Sequence, residues 1–452
     1  MIALTILLLA GYLILLRRLN RGSSVFTPVG IHAAFFACGI AIPALYVYAT
    51  DPWCEAGVKS FFAGRDLLAA LDLALLFLGL GAAAARMLSP DAPTKAPAEA
   101  AEKAEQAIVT DDVPRHRIYV IVAGALLLTG FFFYKNLDLY RDLARDIWTS
   151  ADVFDLIQDT RIDALYGSTY AIQGLTRVLP IVIVLLSCQW YARGDRSAAA
   201  LALTLLAIDF ACLSVVGIRG TQICVLLQLA MVRNYFVPFS ARRVLLSAAA
   251  IAALLVLTTA VKFGFGFSAN SILFAEVLGH VANRVSLGAV HLQYVLSIFP
   301  GELPHKQGMT YVQDLVSLIP SPVKRAIFPP AYWVDFNGYL YQRVFAHDGG
   351  TTTETILGEL YANFGYTGIG LGCFGYGLVL QALSTRFARR AWRTTSATGL
   401  SLCLAFYLAQ STIEGVGETF FVTALWVAIL YAVLFPGRAL LHLLLQPAPA
   451  PA

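Results

Sequence analysis

Long uninterrupted runs of apolar residues recur along this chain, and the stretches between them hold most of its charged side chains. The runs are about 20 residues long, which is the length that an α-helix needs to cross about 30 Å of hydrocarbon. They do not alternate between apolar and polar positions, as the strands of a membrane β-barrel do. The pattern predicts about eleven membrane-spanning helices, at residues 2–16, 26–49, 66–86, 118–134, 171–191, 198–216, 221–238, 244–262, 366–385, 398–413 and 420–436.

Composition agrees with this pattern. Of the 452 residues, 58% are hydrophobic and 13% are charged, whereas soluble domains carry about 25% charged residues. We therefore predict an all-α fold, a polytopic helical bundle in which residues 1–452 form a single integral membrane domain. The formal net charge of +4 is too small to indicate a nucleic-acid partner.

Positive residues in the connections orient the predicted helices. Arg17, Arg18 and Arg21 follow the first apolar run instead of preceding it, so the run predicts a retained helix with its N-terminus outside, not a cleaved signal. In that frame the chain ends in the cytoplasm, and the basic connections all face inward: 17–21, 192–196, 240–243, 385–393, 436–438 and a flexible, solvated loop over 88–117.

Two segments of substantial length then face outward. Residues 135–170 include Leu139, Leu143 and Ile147 at four-residue spacing with charged residues between them, a pattern that predicts an amphipathic helix lying at the membrane interface. Residues 263–365 form a large, partly helical loop that carries most of the side chains suited to chemistry.

The first part of this large loop, residues 271–299, predicts a helix with one polar face. Glu276, His280 and Arg284 follow at four-residue intervals, and His291 returns close to the same direction. One interpretation is a ladder of mutually paired side chains that lets a buried helix tolerate polarity. The other is substrate binding, because ionisable groups inside membrane bundles are costly to place there.

Further basic residues are candidates for binding an anion. Four prolines between residues 320 and 330 predict a rigid, non-helical loop that displays Lys324 and Arg325, although such side chains often only reach toward lipid headgroups. Arg219 lies between two glycines in an outward connection, where open backbone amides also favour an anion. Arg343 is a further outward candidate.

The end of the loop enters the next apolar run through a polar threshold. In a helix over 355–366, the side chains of Thr355, Glu359, Asn363 and Tyr366 share one face. Glu359 could serve only to stabilise the helix N-terminus, or it could be a functional carboxylate. The glycines that follow indicate close helix packing and not phosphate binding.

Three stretches together carry a resemblance to a known family: GIRG (217–220), IPSPVKRAIFPP (319–330) and GELYANFGYTGIG (358–370). With ten or more predicted spans and a large outer loop, the chain resembles the Wzy-type polymerases of O-antigen and oligosaccharide repeat units. The resemblance implies an architecture like that of GT-C glycosyltransferases in the bacterial inner membrane. It also implies that a growing glycan passes from undecaprenyl pyrophosphate to a lipid-linked repeat unit at the periplasmic face.

The resemblance also suggests roles for the candidate residues. Cations would stabilise the pyrophosphate leaving group, and a carboxylate or imidazole would accept the proton of the attacking hydroxyl. The implied partners are the undecaprenyl pyrophosphate-linked oligosaccharide, membrane lipid and a chain-length regulator protein, with no cofactor and no metal. The expected catalytic residues are Glu359, with His280 and His291 as rivals, and the expected substrate-binding residues are Arg219, Arg284, Lys324, Arg325, Arg343, Asn363 and Tyr366.

Alternatives remain open at this stage. An O-antigen ligase would share the outer loop and the lipid-pyrophosphate donor. A polysaccharide flippase or another transporter is favoured by acidic residues in or near the spans, namely Asp72, Asp209, Glu414 and Glu418. A third alternative is a structural subunit without catalysis, for which no single polar substitution would abolish function.

Overall fold

The computed structural model describes residues 1–20, 26–50, 64–88, 113–146, 172–216, 218–240, 242–244, 287–319, 321–329, 340, 355–388 and 394–436, with isolated positions at 246, 249 and 253. Regular secondary structure in these ranges is helical. The helices, in chain order, are α1 (Ile2–Leu19), α2 (Pro28–Phe36), α3 (Ile42–Thr50), α4 (Gly64–Leu88), α5 (Arg115–Lys135), α6 (Leu137–Asp146), α7 (Leu179–Arg193), α8 (Arg196–Val216), α9 (Arg219–Phe236), α10 (Leu287–Ile298), α11 (Met309–Ser317), α12 (Ser321–Ile327), α13 (Ile356–Ala388), α14 (Thr395–Glu414) and α15 (Val422–Leu434). Single π-helical turns (Ala37–Ala41, Gly174–Val178 and Gly417–Phe421) join or precede several of them.

Seven helices in the described part of the chain are long and apolar enough to cross a membrane: Ile2–Leu19, Pro28–Ala49, Arg65–Leu88, Arg115–Lys135, Gly174–Arg193, Arg196–Val216 and Ile356–Ala388. The prediction of a polytopic, all-helical membrane protein is confirmed at that level. The predicted spans at 221–238 and 398–413 coincide with α9 and α14, which are not among the seven, and 420–436 coincides with a shorter apolar helix. The predicted span at 244–262 lies almost entirely outside the described residues, so the count of eleven stays a prediction.

The chain groups into two compact units. Unit 1 comprises Met1–Pro93, Ala282–Arg389 and Leu404–Ala424. Unit 2 comprises Thr94–Val281, Arg390–Cys403 and Leu425–Ala452. Both units draw on distant parts of the sequence, because their helices return to pack against partners placed hundreds of residues earlier.

The core of unit 1 forms around α4, whose inward face repeats at helical spacing. Five leucines on this face expose 2% or less of their surface: Leu67, Leu68, Leu71, Leu75 and Leu78. The α1 helix runs parallel to α4, because Thr5 lies beside Asp72 and the side chains of Tyr12 and Leu15 lie against Gly79.

The later part of α13 also runs parallel to α4. The hydroxyl of Tyr366 donates a hydrogen bond to Asp66 Oδ1 at 3.3 Å near the start of both segments. Farther along, Gly377 packs so closely on the backbone of Leu78 that a Cβ would overlap it. The close approach that the sequence predicts from the glycines is therefore present in unit 1.

The α2 helix runs in the opposite direction to the later part of α13. Ser384 Oγ accepts a hydrogen bond from the Val29 amide at 2.8 Å, and one turn farther along α2 the His32 ring contacts the ring of Tyr376 with centroids 5.3 Å apart. The directions of α1, α2, α4 and α13 relative to one another match the alternation that the sequence predicts. Which side of the membrane they face stays a prediction.

The α13 helix is broken at Gly365, whose backbone angles are φ 64° and ψ −152°. Its 33 residues would extend about 50 Å if continuous, well beyond about 30 Å of hydrocarbon. Instead, the first arm (residues 356–364) folds back beside the second arm (residues 366–388), because Leu360 packs against both Gly368 and Gly372. The two arms form a helical hairpin with Gly365 at its tip.

Unit 2 is built from α5 to α9 with parts of α14 and α15. The indole of Trp426 donates a hydrogen bond to Gln173 Oε1 at 2.9 Å, and Arg117 donates to the Leu434 carbonyl at 2.9 Å. The helix predicted within 135–170 is present as α6 (Leu137–Asp146). Its position at a membrane interface stays a prediction.

Candidate functional site

A group of buried polar side chains in unit 1 lies on and around the first arm of α13. The arm begins at Thr355, whose hydroxyl accepts a hydrogen bond from the Gly358 amide at 3.2 Å and so caps the helix. Thr355, Glu359 and Asn363 are each fully buried. Because they lie four residues apart, they form one polar face on an arm that is otherwise apolar.

Glu359 is the central group of this face. Its Oε2 accepts a hydrogen bond from the backbone amide of Val416 at 2.7 Å. Its Oε1 is buried, and no group among the described residues donates a hydrogen bond to it. The carboxylate therefore ties the arm to the turn after α14 instead of capping its own helix, and one oxygen has lone pairs left for another donor.

A second carboxylate, that of Asp314 on α11, lies close to the same place. Its side chain packs directly on Gly417, where a Cβ would overlap the carboxyl group. Glycine at the start of the π-helical turn Gly417–Phe421 thus makes room for an acidic side chain. Gly417 directly follows Val416, whose amide holds Glu359, so two acidic side chains contact the same turn.

Asn363 is fully engaged by protein partners. Its Oδ1 accepts from the Gly308 amide at 2.9 Å, and its Nδ2 donates to Thr310 Oγ1 at 2.6 Å and to the Glu359 carbonyl at 2.9 Å. Both donor hydrogens are used. The role expected for Asn363, orienting sugar hydroxyls, would require breaking these bonds, whereas the observed geometry joins α11 to the arm.

The segment before α11 closes the end of the first arm. The amides of Lys306 and Gln307 donate to the carbonyls of Ala362 and Asn363, each at 2.9 Å. These carbonyls would otherwise lack partners, because the helix stops at Gly365. The segment therefore stabilises the break and holds α11 beside the first arm.

Beyond the break, Tyr366 does not share a face with Glu359, contrary to the prediction. The positive φ at Gly365 redirects the chain, and the Tyr366 hydroxyl instead reaches Asp66 on α4. The Tyr366 side chain is 38% exposed. It lies at the hairpin tip, away from the buried face of the first arm.

The basic candidates of unit 1 that fall within the described residues lie on α12. The prediction of a non-helical loop here is wrong, because Ser321–Ile327 is helical with Lys324 and Arg325 in its last turn. Pro322 is tolerated since the first turn of a helix does not use its amide hydrogens. Arg325 is exposed and Lys324 is half-buried.

The remaining candidates are placed less completely. His291 is buried within α10, and only residues 287–298 of the predicted helix 271–299 are described as helical. Arg219 begins α9 in unit 2, but its side chain lies outside the described residues. His280, Arg284 and Arg343 lie outside them entirely. Their predicted convergence with Glu359 stays a prediction.

Several residues near the site were missed as candidates: Asp66, His305, Thr310 and Asp314. Asp66 and Asp314 have the pattern of ordinary acids beside apolar runs, and only tertiary packing brings Asp66 to Tyr366 at the hairpin tip and Asp314 to Gly417 beside Glu359. A usable signal lies in the stretch PHKQG (304–308), where proline and glycine bracket an imidazole and a lysine.

Glu414, an acidic residue shortly before the π-helical turn, is also paired with neighbours. Glu414 Oε2 accepts hydrogen bonds from Gln410 Nε2 at 2.7 Å and from Thr419 Oγ1 at 3.0 Å. Among the described residues, no group of three or more His, Cys, Asp or Glu side chains is arranged to hold a metal ion.

Comparisons of this chain with protein-family models, with curated proteins and with solved structures found no match.

Proposed function

We propose that this protein is a membrane glycosyltransferase that polymerises oligosaccharide repeat units. The growing glycan would be carried on undecaprenyl pyrophosphate and transferred to a lipid-linked repeat unit at the periplasmic face of the bacterial inner membrane. The observation that best supports the proposal is the half-satisfied Glu359 carboxylate, held by the Val416 amide with Oε1 open to a further donor. The resemblance of residues 358–370 to the O-antigen polymerases supports the same chemistry.

In this proposal Glu359 is the general base. The acceptor sugar hydroxyl donates its hydrogen bond to Oε1, and its oxygen attacks the anomeric carbon of the donor glycan. The new glycosidic bond forms as the bond to pyrophosphate breaks, the electron pair leaves with the pyrophosphate, and the hydroxyl proton passes to Glu359. A positioned base of this kind contributes about 10²–10⁴-fold to a rate. The Val416 amide keeps the carboxylate oriented between cycles.

Stabilisation of the leaving group would fall to cations. Lys324 and Arg325 lie on a short, largely exposed helix of unit 1, and Arg219, Arg284 and Arg343 remain candidates from the sequence. Guanidinium groups suit a diphosphate because they can donate two parallel hydrogen bonds. His291, which is buried within α10 as Glu359 is within α13, is a rival base.

The test replaces Glu359 with glutamine, which keeps the size of the side chain and an oxygen that can accept from Val416. In a host whose own gene is deleted, the variant should reduce the ladder of surface glycan to a single repeat unit attached to the core. Glu302→Gln, at an exposed position in the same unit, is the matched control and should restore the full ladder. Full chain lengths from Glu359→Gln at normal expression would exclude the base role.

A transporter is a second candidate, favoured by the discontinuous α13. Transporters often place their sites at broken helices in the membrane, and Asp209 of unit 2 is fully buried with no hydrogen-bond partner for either oxygen among the described residues. Deletion of the gene separates the candidates. Loss of a polymerase leaves one repeat unit on the core and loss of a ligase leaves none, whereas loss of a flippase traps lipid-linked units inside the cell.

A further inference from the structure

The tip of the α13 hairpin carries exposed aromatic rings beside an exposed carboxylate. Phe364 and Tyr366 flank Gly365 and are 46% and 38% exposed. The Asp66 side chain, also exposed, accepts a hydrogen bond from the Tyr366 hydroxyl at 3.3 Å through Oδ1. We call Asp66, Phe364 and Tyr366 the tip cluster.

Further rings hold Tyr366 in place from behind. Tyr361 packs edge-on against Tyr366 with centroids 5.1 Å apart, and His305 packs edge-on against Tyr361 at 5.6 Å. His305 is stacked in turn on Phe299 at 6.1 Å, and the Tyr361 hydroxyl donates to the Phe299 carbonyl at 3.2 Å. Edge-to-face pairs of this kind add specific orientation to simple burial. Tyr366 is therefore fixed in orientation while part of its surface remains open.

Exposed aromatic residues at the end of a membrane helix often serve only as an interfacial belt. Two features of the tip cluster favour a different role. The Tyr366 hydroxyl is bonded to a carboxylate, which would repel anionic lipid headgroups instead of attracting them. The ring is also buttressed by Tyr361, whereas a belt residue needs only to partition into the interface. A rigid aromatic surface next to a hydrogen-bond acceptor with open lone pairs suits a ligand that has both apolar and hydroxylated sides.

We propose that the tip cluster binds one sugar ring of the glycan substrate. The C–H face of the sugar packs on Tyr366 and Phe364, and two neighbouring hydroxyls donate hydrogen bonds to Asp66, which is the stronger type of contact because the acceptor is charged. This inference rests on the proposed function, since that function makes a glycan the substrate. It assigns the tip to sugar recognition and leaves the chemistry to Glu359.

The experiment measures binding separately from polymerisation. The probe is the soluble oligosaccharide repeat released by mild acid from the surface polysaccharide of the host, and its binding to purified protein in detergent is followed by saturation-transfer NMR. Tyr366→Ala and Asp66→Asn are expected to raise the Kd about tenfold, a loss typical of one buried anchor. Tyr366→Phe keeps the aromatic ring and should retain most of the binding. It serves as the control that distinguishes loss of the ring from misfolding of the hairpin. Tyr134→Ala, at an aromatic residue of unit 2 that is 74% exposed, is the matched control.

The outcomes separate this inference from the proposed function. If wild-type protein binds the oligosaccharide and Tyr366→Ala and Asp66→Asn bind it equally well, the tip cluster is not a sugar site, although the polymerase proposal stands. If Tyr366→Ala changes only the partitioning of the protein into vesicles, the ring is an interfacial anchor and the inference is wrong. If Glu359→Gln binds normally but makes no polymer while Tyr366→Ala loses binding, both proposals are supported.

Discussion

Replacing Gly365 with alanine should destabilise the α13 hairpin, because the backbone there has φ 64° and ψ −152°. This region is nearly restricted to glycine, and other residues pay about 1–3 kcal/mol to occupy it. The added Cβ would also lie 3.1 Å from His305 Nε2, so the imidazole must shift. Alanine lowers the entropy of the unfolded chain, which offsets only about 0.4–1 kcal/mol of that cost.

The matched control is Gly375→Ala in the second arm of the same hairpin. A Cβ at Gly375 meets no atom within 4 Å, and alanine is favoured over glycine by about 0.5–1 kcal/mol inside a helix. The two variants should therefore differ by roughly 1–4 kcal/mol in the free energy of unfolding. SDS titration in mixed micelles, followed by near-ultraviolet circular dichroism, measures this difference.

The double variant Gly365→Ala/His305→Ala divides the expected loss into two parts. Without the imidazole, the steric contact is absent but the backbone strain remains. Gly365→Ala should therefore destabilise His305→Ala less than it destabilises the wild-type protein, but it should still destabilise it. Equal stability of Gly365→Ala and Gly375→Ala would show that α13 does not reverse at this position, and the reasoning about the hairpin would fail.

Two further predictions concern helix ends. Thr355→Ala removes the hydroxyl that accepts from the Gly358 amide and should cost about 0.5–2 kcal/mol in the same titration, while Thr355→Ser keeps the cap and should cost less. Hydrogen bonds from the Ser197 hydroxyl, and then from nearby backbone amides, lower the pKa of Asp195 at the start of α8. Because the folded pKa is below the unfolded value of about 3.9, this stabilisation is present above that pH and is lost as the pH falls through the folded pKa. Thermal unfolding in detergent between pH 3 and 7 should show the advantage of wild type over Asp195→Asn shrinking at the acidic end, and a constant advantage would contradict the assignment.

The membrane-spanning helices could be predicted from the sequence because burial in hydrocarbon demands long apolar runs, and α1, α4, α5 and α8 satisfy that demand locally. The break at Gly365 could not be predicted in this way, since the apolar character continues through it and the cause is a single backbone conformation. Pro322 illustrates the opposite error, because a proline that forbids helix at one position permits it at the first turn.

The candidate site shows the same division. Glu359 and Asn363 stand out in the sequence as polar residues entering an apolar run. Their partners, Val416 and Thr310, lie more than 50 residues away and have nothing unusual about them. Contacts of that kind depend on tertiary packing, which no local pattern of the sequence records.

The common direction of α1, α4 and the second arm of α13 imposes a parity rule on the topology of the chain. Two helices that cross a bilayer in the same direction must be separated in the chain by an odd number of membrane crossings. Between α1 and α4, the described residues supply one such crossing, which α2 and α3 make together. The number of crossings between Leu88, at the end of α4, and Tyr366, at the start of the second arm of α13, must again be odd. A topology in which both helices cross the membrane therefore places these two residues on opposite faces of it.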